Sequence, residues 1–240
     1  LYTKLLDLNY ITEKLKLSQV ENFQTFDSFE GLTPSSLVIK DMNLYADVIH
    51  LRNIIATDFE AKASVNEKQI INIDHFKFNI ASGVLNGSFN YNFNNNHTNL
   101  VLKAKDINAN DLTYALFDLN NQLYGDLTGD TKLSCIGSDF ENCMKTLNGK
   151  TSFNVTNGRI PKLGSLEYLL KAGNLFKGGL TSLSINSVID IITPLKTGDF
   201  SSIYGTIDIK DGIADNIEIA TRGKDLSLFI TGNYNFSSAN

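Results

Sequence analysis

The chain has 240 residues, a net charge of −5, two Cys, three Pro and no Trp. A hydrophobic content of 42% with 20% charged residues belongs to a globular chain with ample length to bury a core, not to a disordered one. Twenty-one basic against 26 acidic residues argue against a nucleic-acid surface, and two Cys exclude a disulfide-rich scaffold and a four-cysteine zinc site.

From the N-terminus, Tyr2 to Leu17 carries Leu5, Leu6, Leu8, Ile11 and Leu15, the spacing of an amphipathic helix. Glu21 to Pro34 reads as a loop. Alternation of period two then takes over, which gives a strand one greasy and one wet face. Phe76, Phe78 and Ile80 alternate with polar residues, as do Phe89, Tyr91 and Phe93, then Leu100 and Leu102. Asn110 or Asp111 is placed to cap a helix through Leu112, Ala115, Leu116 and Leu119. Cys135 ends a strand, and Asp139 is placed to cap a short helix through Phe140, Cys143, Met144 and Leu147. Phe153 and Val155 alternate in the next strand. Leu163 to Phe176 reads as a helix ended by Gly178-Gly179. Alternation returns at Ile207 and Ile209, at Ile217 and Ile219, and in the closing stretch from Leu226 to Phe236.

Turn signals stand at Asn86-Gly87, Asn94-Asn95-Asn96, Asn148-Gly149, Asn157-Gly158 and Asp211-Gly212. These residues tolerate the positive φ of tight hairpins, so consecutive strands are expected to pair antiparallel. A glycine opening an alternating strand recurs at Gly87, Gly129, Gly149, Gly205 and Gly232, but at irregular spacing, which excludes a strict solenoid. The expected architecture is mainly β with a few short helices: one elongated, curled antiparallel sheet with helices at its ends or edges. About ten strands served by about four helices leave two outcomes. The apolar face folds onto itself as a closed core, or it stays partly open as a groove.

Chemical motifs are few. His50 and His75 fall in strands near Asp47 and Asp74, His97 falls in an Asn-rich turn, and none has a partner at metal-ligand spacing. Asp106 to Asp111 imitates an EF-hand opening, but the sixth position is Asp111 where Gly is needed and the twelfth is Phe117 where Glu is needed. A strand-to-helix connection is the better reading. In an oxidising compartment Cys135 and Cys143 would close a small loop worth roughly 2–3 kcal/mol; in a reducing one they are two small buried side chains. Nucleophile-elbow, Walker, dinucleotide and zincin motifs are missing, so neither catalytic residues, nor a metal, nor a cofactor is assigned. The sequons at Asn86, Asn96, Asn154 and Asn235 carry no weight in a chain with 28 Asn. An outer-membrane barrel is disfavoured because no Trp supplies an interfacial girdle and helices interrupt the strands.

The phrases of the second half, taken in order, carry a resemblance. They are Tyr124-Gly125-Asp126-Leu127-Thr128-Gly129, then Leu147-Asn148-Gly149 to Asn157-Gly158-Arg159-Ile160, then Leu170 to Phe176, then Phe200 to Gly205 with Ile209-Lys210-Asp211-Gly212-Ile213-Ala214, then Leu226 to Phe236. Residues 124–240 so resemble the C-terminal region of the AsmA-like family of Gram-negative envelope proteins, with residues 36–115 fitting its preceding strands more loosely. The Cys135 and Cys143 pair departs from the family pattern.

The resemblance implies a single β-rich domain over residues 1–240, cut from a longer chain. It implies a non-enzymatic, periplasmic protein anchored to the inner membrane by a segment upstream of Leu1. Because the family is similar in architecture to bridge-like lipid-transfer proteins, it also implies an apolar groove that binds or conducts phospholipid or another acyl-chain lipid between inner and outer membrane. The groove lining expected from the alternation is Phe76, Phe78, Phe89, Tyr91, Phe93, Leu100, Leu102 and Phe153. It continues through Val155, Ile207, Ile209, Ile217, Ile219, Leu228, Ile230 and Tyr234. Two rival readings stand beside it. One is an assembly or scaffold factor for outer-membrane protein biogenesis, with envelope proteins as partners. The other is a secreted or surface β-sandwich adhesin.

Overall fold

The computed structural model describes residues 1–7, 38–51, 53–117, 120–161, 183–184, 198–223 and 228–236. The strands are β1 (Tyr2–Asp7), β2 (Ile39–Leu51), β3 (Ile54–Val65), β4 (Ile70–Ile80), β5 (Gly83–Asn92) and β6 (His97–Asn108). They continue as β7 (Tyr124–Ile136), β8 (Asn148–Arg159), β9 (Leu183–Ser184), β10 (Asp199–Lys210), β11 (Ile213–Arg222) and β12 (Leu228–Asn235). Two helices lie among the described residues, α1 (Ala109–Phe117) and α2 (Phe140–Lys145).

All twelve strands form one sheet in the order β1-β2-β3-β4-β5-β6-β7-β8-β10-β11-β12-β9. From β2 to β12 the neighbours pair antiparallel, as the hairpin signals imply. The expected mainly-β, curled single sheet with small helices is therefore what forms, and the described strands do not stack into a sandwich.

The first expected helix is corrected. Tyr2–Asp7 is a strand, parallel to β2, with Tyr2 opposite Tyr45 and Asp7 opposite His50. Helical leucine spacing loses here to an open sheet edge that satisfies the backbone, and the Tyr2 hydroxyl donates to Asp47 Oδ2 at 2.5 Å. A parallel pair needs a connection of a dozen or more residues, and 31 residues separate Asp7 from Ile39 in the sequence. The rest of that expected helix, the loop from Glu21 to Pro34 and the helix from Leu163 to Phe176 lie outside the described residues.

Three turn readings are also corrected. Asn86-Gly87 lies inside β5 and Asn148-Gly149 opens β8. Asn157 has φ 52° within β8, where the β7–β8 register slips, so it makes a bulge and not a turn. The β4–β5 turn is instead Ala81-Ser82, with φ 47° and 63°. Asp58 and Asp106, both near φ 54°, sit at matching slips of β3 and β6. Asp and Asn enter the left-handed region at low cost, and each bulge bends its strand and increases the local twist. All three lie toward the end of the sheet that carries α1.

The helices sit at opposite ends of the sheet. Asn108 caps α1 by accepting from Asp111 N at 3.0 Å, which replaces the expected cap at Asn110 or Asp111. α1 touches β7, β6 and also β3, three strands away, which only a curled sheet permits. There Ala109, Val155, Ile160, Phe200 and Ile203 form the buried core, with Leu123, Leu127, Phe153 and Ile219 packed against it. At the other end Asp139 caps α2 through Asn142 N at 2.8 Å, as expected. Cys135 and Cys143 are joined by a disulfide, with Cα atoms 5.1 Å apart, which ties α2 to the end of β7.

Candidate functional site

Directly opposed residues on neighbouring strands point to the same face, so the register alone sorts the side chains. One row crosses ten strands: Leu44, Ala61, Phe76, Gly87, Leu102, Thr131, Thr151, Ile207, Ile217 and Gly232. The row on its α2 side runs Met42, Ala63, Ile73, Phe89, Leu100, Leu133, Gly149, Ile209, Ala214 and Tyr234. On its α1 side, Phe78, Leu85, Ala104, Gly129, Phe153, Gly205, Ile219 and Ile230 continue from Ala46 and Phe59, the Phe59 and Phe78 rings being 6.4 Å apart. Shorter rows close the two ends. Ile107, Leu127, Val155, Ile203, Thr221 and Leu228 lie next to α1. Ile39, Val65, Ile71, Tyr91, Thr98 and Cys135 lie at the far end.

No Asp, Glu, Lys, Arg or His stands in any of these rows, and threonine and tyrosine hydroxyls are their only strongly polar groups. The charges lie on the opposite face, among them Glu60, Lys62, Lys77, Lys103, Asp126, Asp130, Lys132, Lys150, Asp208 and Glu218. Lys150 pairs there with Asp208 at 3.1 Å. The groups whose ionisation is displaced are also off the apolar face. The Tyr2 hydroxyl is raised by its bond to Asp47, and Lys62 is raised by Asp41. Lys145 is raised by Glu141, and Asp139 is lowered by the backbone N–H of Asn142.

Apart from Leu228 and Ile230, the lining residues expected from the alternation fall on this one face. Phe93 does so one step past β5, where its ring meets Tyr91 edge-on at 4.8 Å. Leu228 and Ile230 stand opposite Thr221 and Ile219 in the ladder register. Their settings differ, however. Val155 and Tyr234 are fully buried and belong to packed contacts, and Phe93 is exposed at the rim. Phe76, Phe78, Phe89, Tyr91, Leu100, Leu102, Phe153, Ile207, Ile209, Ile217 and Ile219 are only half-buried. The helices close the two ends of the face and leave its middle as a shallow trough.

The alternation missed Ile71, Ile73, Leu85, Leu133 and the glycines. Ile71 and Ile73 sit at odd positions and Phe76 and Phe78 at even ones, because the β4–β5 register slips between Ile73 and Phe76. All five glycines of the loose repeat occupy trough rows. Three inner-face rings lie over glycines: Phe76 over Gly87, Phe153 over Gly205 and Phe200 over Gly158. Cβ atoms built there would stand 2.9, 2.6 and 2.2 Å from the rings. A side chain at any of these glycines would displace the ring that reaches over it.

The histidines do not meet. His50 and His75 are strand residues, and His97 opens β6, where its Nδ1 lies 3.3 Å from Asn99 Nδ2. Among the described residues no group of three or more His, Cys, Asp or Glu side chains is placed to hold a metal, and no helix is long and apolar enough to cross a membrane. Asp106 is a bulge residue and Asn108 a helix cap, as the strand-to-helix reading of that stretch has it.

Fold and site define a class: a single curled sheet with an uncharged concave face and a charged convex one. Compared with known families, residues 12–219 match the AsmA family, and the chain belongs to it. No curated protein and no solved structure matches the chain.

Proposed function

We propose that this chain is a periplasmic envelope protein that shelters the acyl chains of phospholipid in its trough and carries them between inner and outer membrane, with no chemical step. The observation that carries the reading is the unbroken, charge-free apolar face across ten strands, half-buried along its middle. A contiguous apolar surface of this kind marks an interaction site. Each methylene moved onto it from water gains about 0.8 kcal/mol, which suits an acyl chain and offers little to a polar ligand. AsmA family membership supports an envelope role. The Cys135–Cys143 disulfide supports a compartment where thiols are oxidised. In this reading a membrane segment upstream of Leu1 holds the protein at the inner membrane.

The test is lipid extraction and native mass spectrometry of protein purified without added lipid, with photocrosslinking in cells from a reactive residue at Phe89. Bound phospholipid and lipid adducts are expected. A protein free of lipid, with adducts only to other proteins, would overturn the reading in favour of an assembly or scaffold role.

A further inference from the structure

The trough has one corner whose chemistry is not apolar throughout. At the end of β2 and β3 away from α1, a recess of about 470 Å³ is lined by Val38, Ile39, Lys40, Ser64, Val65, Asn66, Glu67 and Lys68. Ile39 and Val65 are an opposed pair in the last trough row. The β2–β3 register slips between Ile39 and Met42. An irregularity there loosens the strand from its neighbour and re-aims the side chains beside it, here Lys40 and Asp41. Asp41 is engaged by Lys62 at 2.8 Å. Lys40 and Lys68 make no ion pair among the described residues. Both are exposed.

The rim is held in shape before anything binds. Asn66 Oδ1 accepts from Lys68 N at 2.9 Å and from Ile70 N at 3.1 Å. The next turn is tied to it, since Asn94 Nδ2 donates to Lys68 O at 2.7 Å and Phe93 N to Gln69 O at 3.1 Å. Two ammonium groups without an ion pair among the described residues, one carboxylate and the Ile39–Val65 pair of the last trough row are the complement of an amphiphile. The apolar pair takes the first methylenes, the lysines take a phosphate, and Glu67 takes an ammonium beyond it.

We infer that this recess is the headgroup site of the trough, and that it selects glycerophospholipid with an amine-bearing headgroup; the inference rests on the acyl-chain reading given above. Only this end of the lipid is read by charge, while the chains lie against a lining that distinguishes little.

The experiment uses the purified chain, incubated with detergent micelles holding equal amounts of acyl-matched phosphatidylethanolamine, phosphatidylglycerol and diacylglycerol. Native mass spectrometry counts the lipids bound. The wild type is expected to favour phosphatidylethanolamine over diacylglycerol at least about fivefold, from two charge-assisted contacts. Lys40→Glu/Lys68→Glu is expected to bring that ratio to about one at unchanged thermal midpoint and total load. Glu67→Gln is expected to remove the preference for phosphatidylethanolamine over phosphatidylglycerol and to leave both ahead of diacylglycerol. A normal lipid load with ratios unmoved in the variants overturns the headgroup site and leaves the trough standing. A wild type that takes up no lipid of any kind overturns both.

Discussion

A single charge placed in the trough tests the central reading. Leu102 stands at the middle of the ten-strand row, between Gly87 and Thr131, and is half-buried. In Leu102→Glu the empty protein keeps its carboxylate in contact with water, so the sheet loses only the apolar contacts of one partly covered side chain, about 1–2 kcal/mol. The loaded state differs, because hydrocarbon laid over the carboxylate would strip its water, at several kcal/mol per ion. The cheaper response is for the chain to withdraw from that stretch. If three or four methylenes withdraw, the loss is about 3 kcal/mol at 0.8 each, or roughly a hundredfold in occupancy. Leu102→Gln keeps the shape without the charge and should lose less. Lys103→Glu alters the adjacent residue on the opposite face, opposed to Asn86 and Asp130, and should leave the lipid load unchanged. The assay is bound lipid per protein after extraction, with circular dichroism and the thermal midpoint as fold controls. A folded Leu102→Glu protein that copurifies with a full lipid load, or a Lys103→Glu protein that loses as much, would refute the reasoning.

Other expectations concern what holds the trough in shape. The Cys135–Cys143 disulfide closes a loop of sequence separation 8. The chain-entropy estimate then gives about 2.5 kcal/mol for Cys135→Ala/Cys143→Ala, a fall of about 5–10 °C in midpoint, which reduction of the wild type should reproduce in differential scanning calorimetry. Gly205→Val would bring its Cβ to 2.6 Å from the Phe153 ring and displace it, at about 2 kcal/mol. Adding Phe153→Leu should recover part of that, and strict additivity in the double-mutant cycle would contradict the contact. Asp139 has a carboxyl held below its ordinary value of 3.8 because it accepts from the backbone N–H of Asn142. A depressed folded value means that its cap contribution is complete above the ordinary value and is lost as pH falls through the folded one. Asp139→Asn should therefore flatten the acid limb of the stability–pH curve, and a limb unchanged in the variant would remove Asp139 from it.

The faces of the strands were legible from residue order, because period two is geometric and survives wherever the ladder is regular. Phe89, Tyr91, Leu100 and Leu102 came out on one face for that reason. What the order concealed were the places where one residue too many enters a strand. Asp58, Asp106 and Asn157 look like turn residues in a sequence, and all three are bulges inside strands. The slip between Ile73 and Phe76 hid Ile71 and Ile73 by switching parity. Asn86-Gly87 carried a strong hairpin signal, but Gly87 is glycine for another reason. A Cβ there would stand 2.0 Å from Val101 O and 2.9 Å from the Phe76 ring. The leucines of Tyr2–Asp7 pointed to a helix, since nothing local announces that an open edge will capture a segment as a parallel strand. The rim recess was illegible because its parts come from the two ends of a hairpin and an irregularity that only pairing reveals.

The composition of the trough also bears on how a bound chain would move. A ligand held by oriented polar groups has one favoured depth, and each step away from it breaks hydrogen bonds at about 0.5–1.5 kcal/mol apiece. The described rows hold Leu, Ile, Val, Met, Phe, Ala, Gly and Cys135, with threonine and tyrosine hydroxyls as their strongly polar groups, and the rings of Phe76 and Phe153 reach over glycines. A hydrocarbon chain shifted by one methylene leaves one apolar contact and gains another, so its energy along the trough is nearly level. On the proposed reading, discrimination then has to come from the headgroup. In that reading the work is divided between Lys40 and Lys68 at one rim, which make no ion pair among the described residues, and rows that hold no lysine. A charge added at mid-trough should therefore reduce the amount of lipid bound without changing its kind, and a charge reversed at the rim should change the kind without reducing the amount.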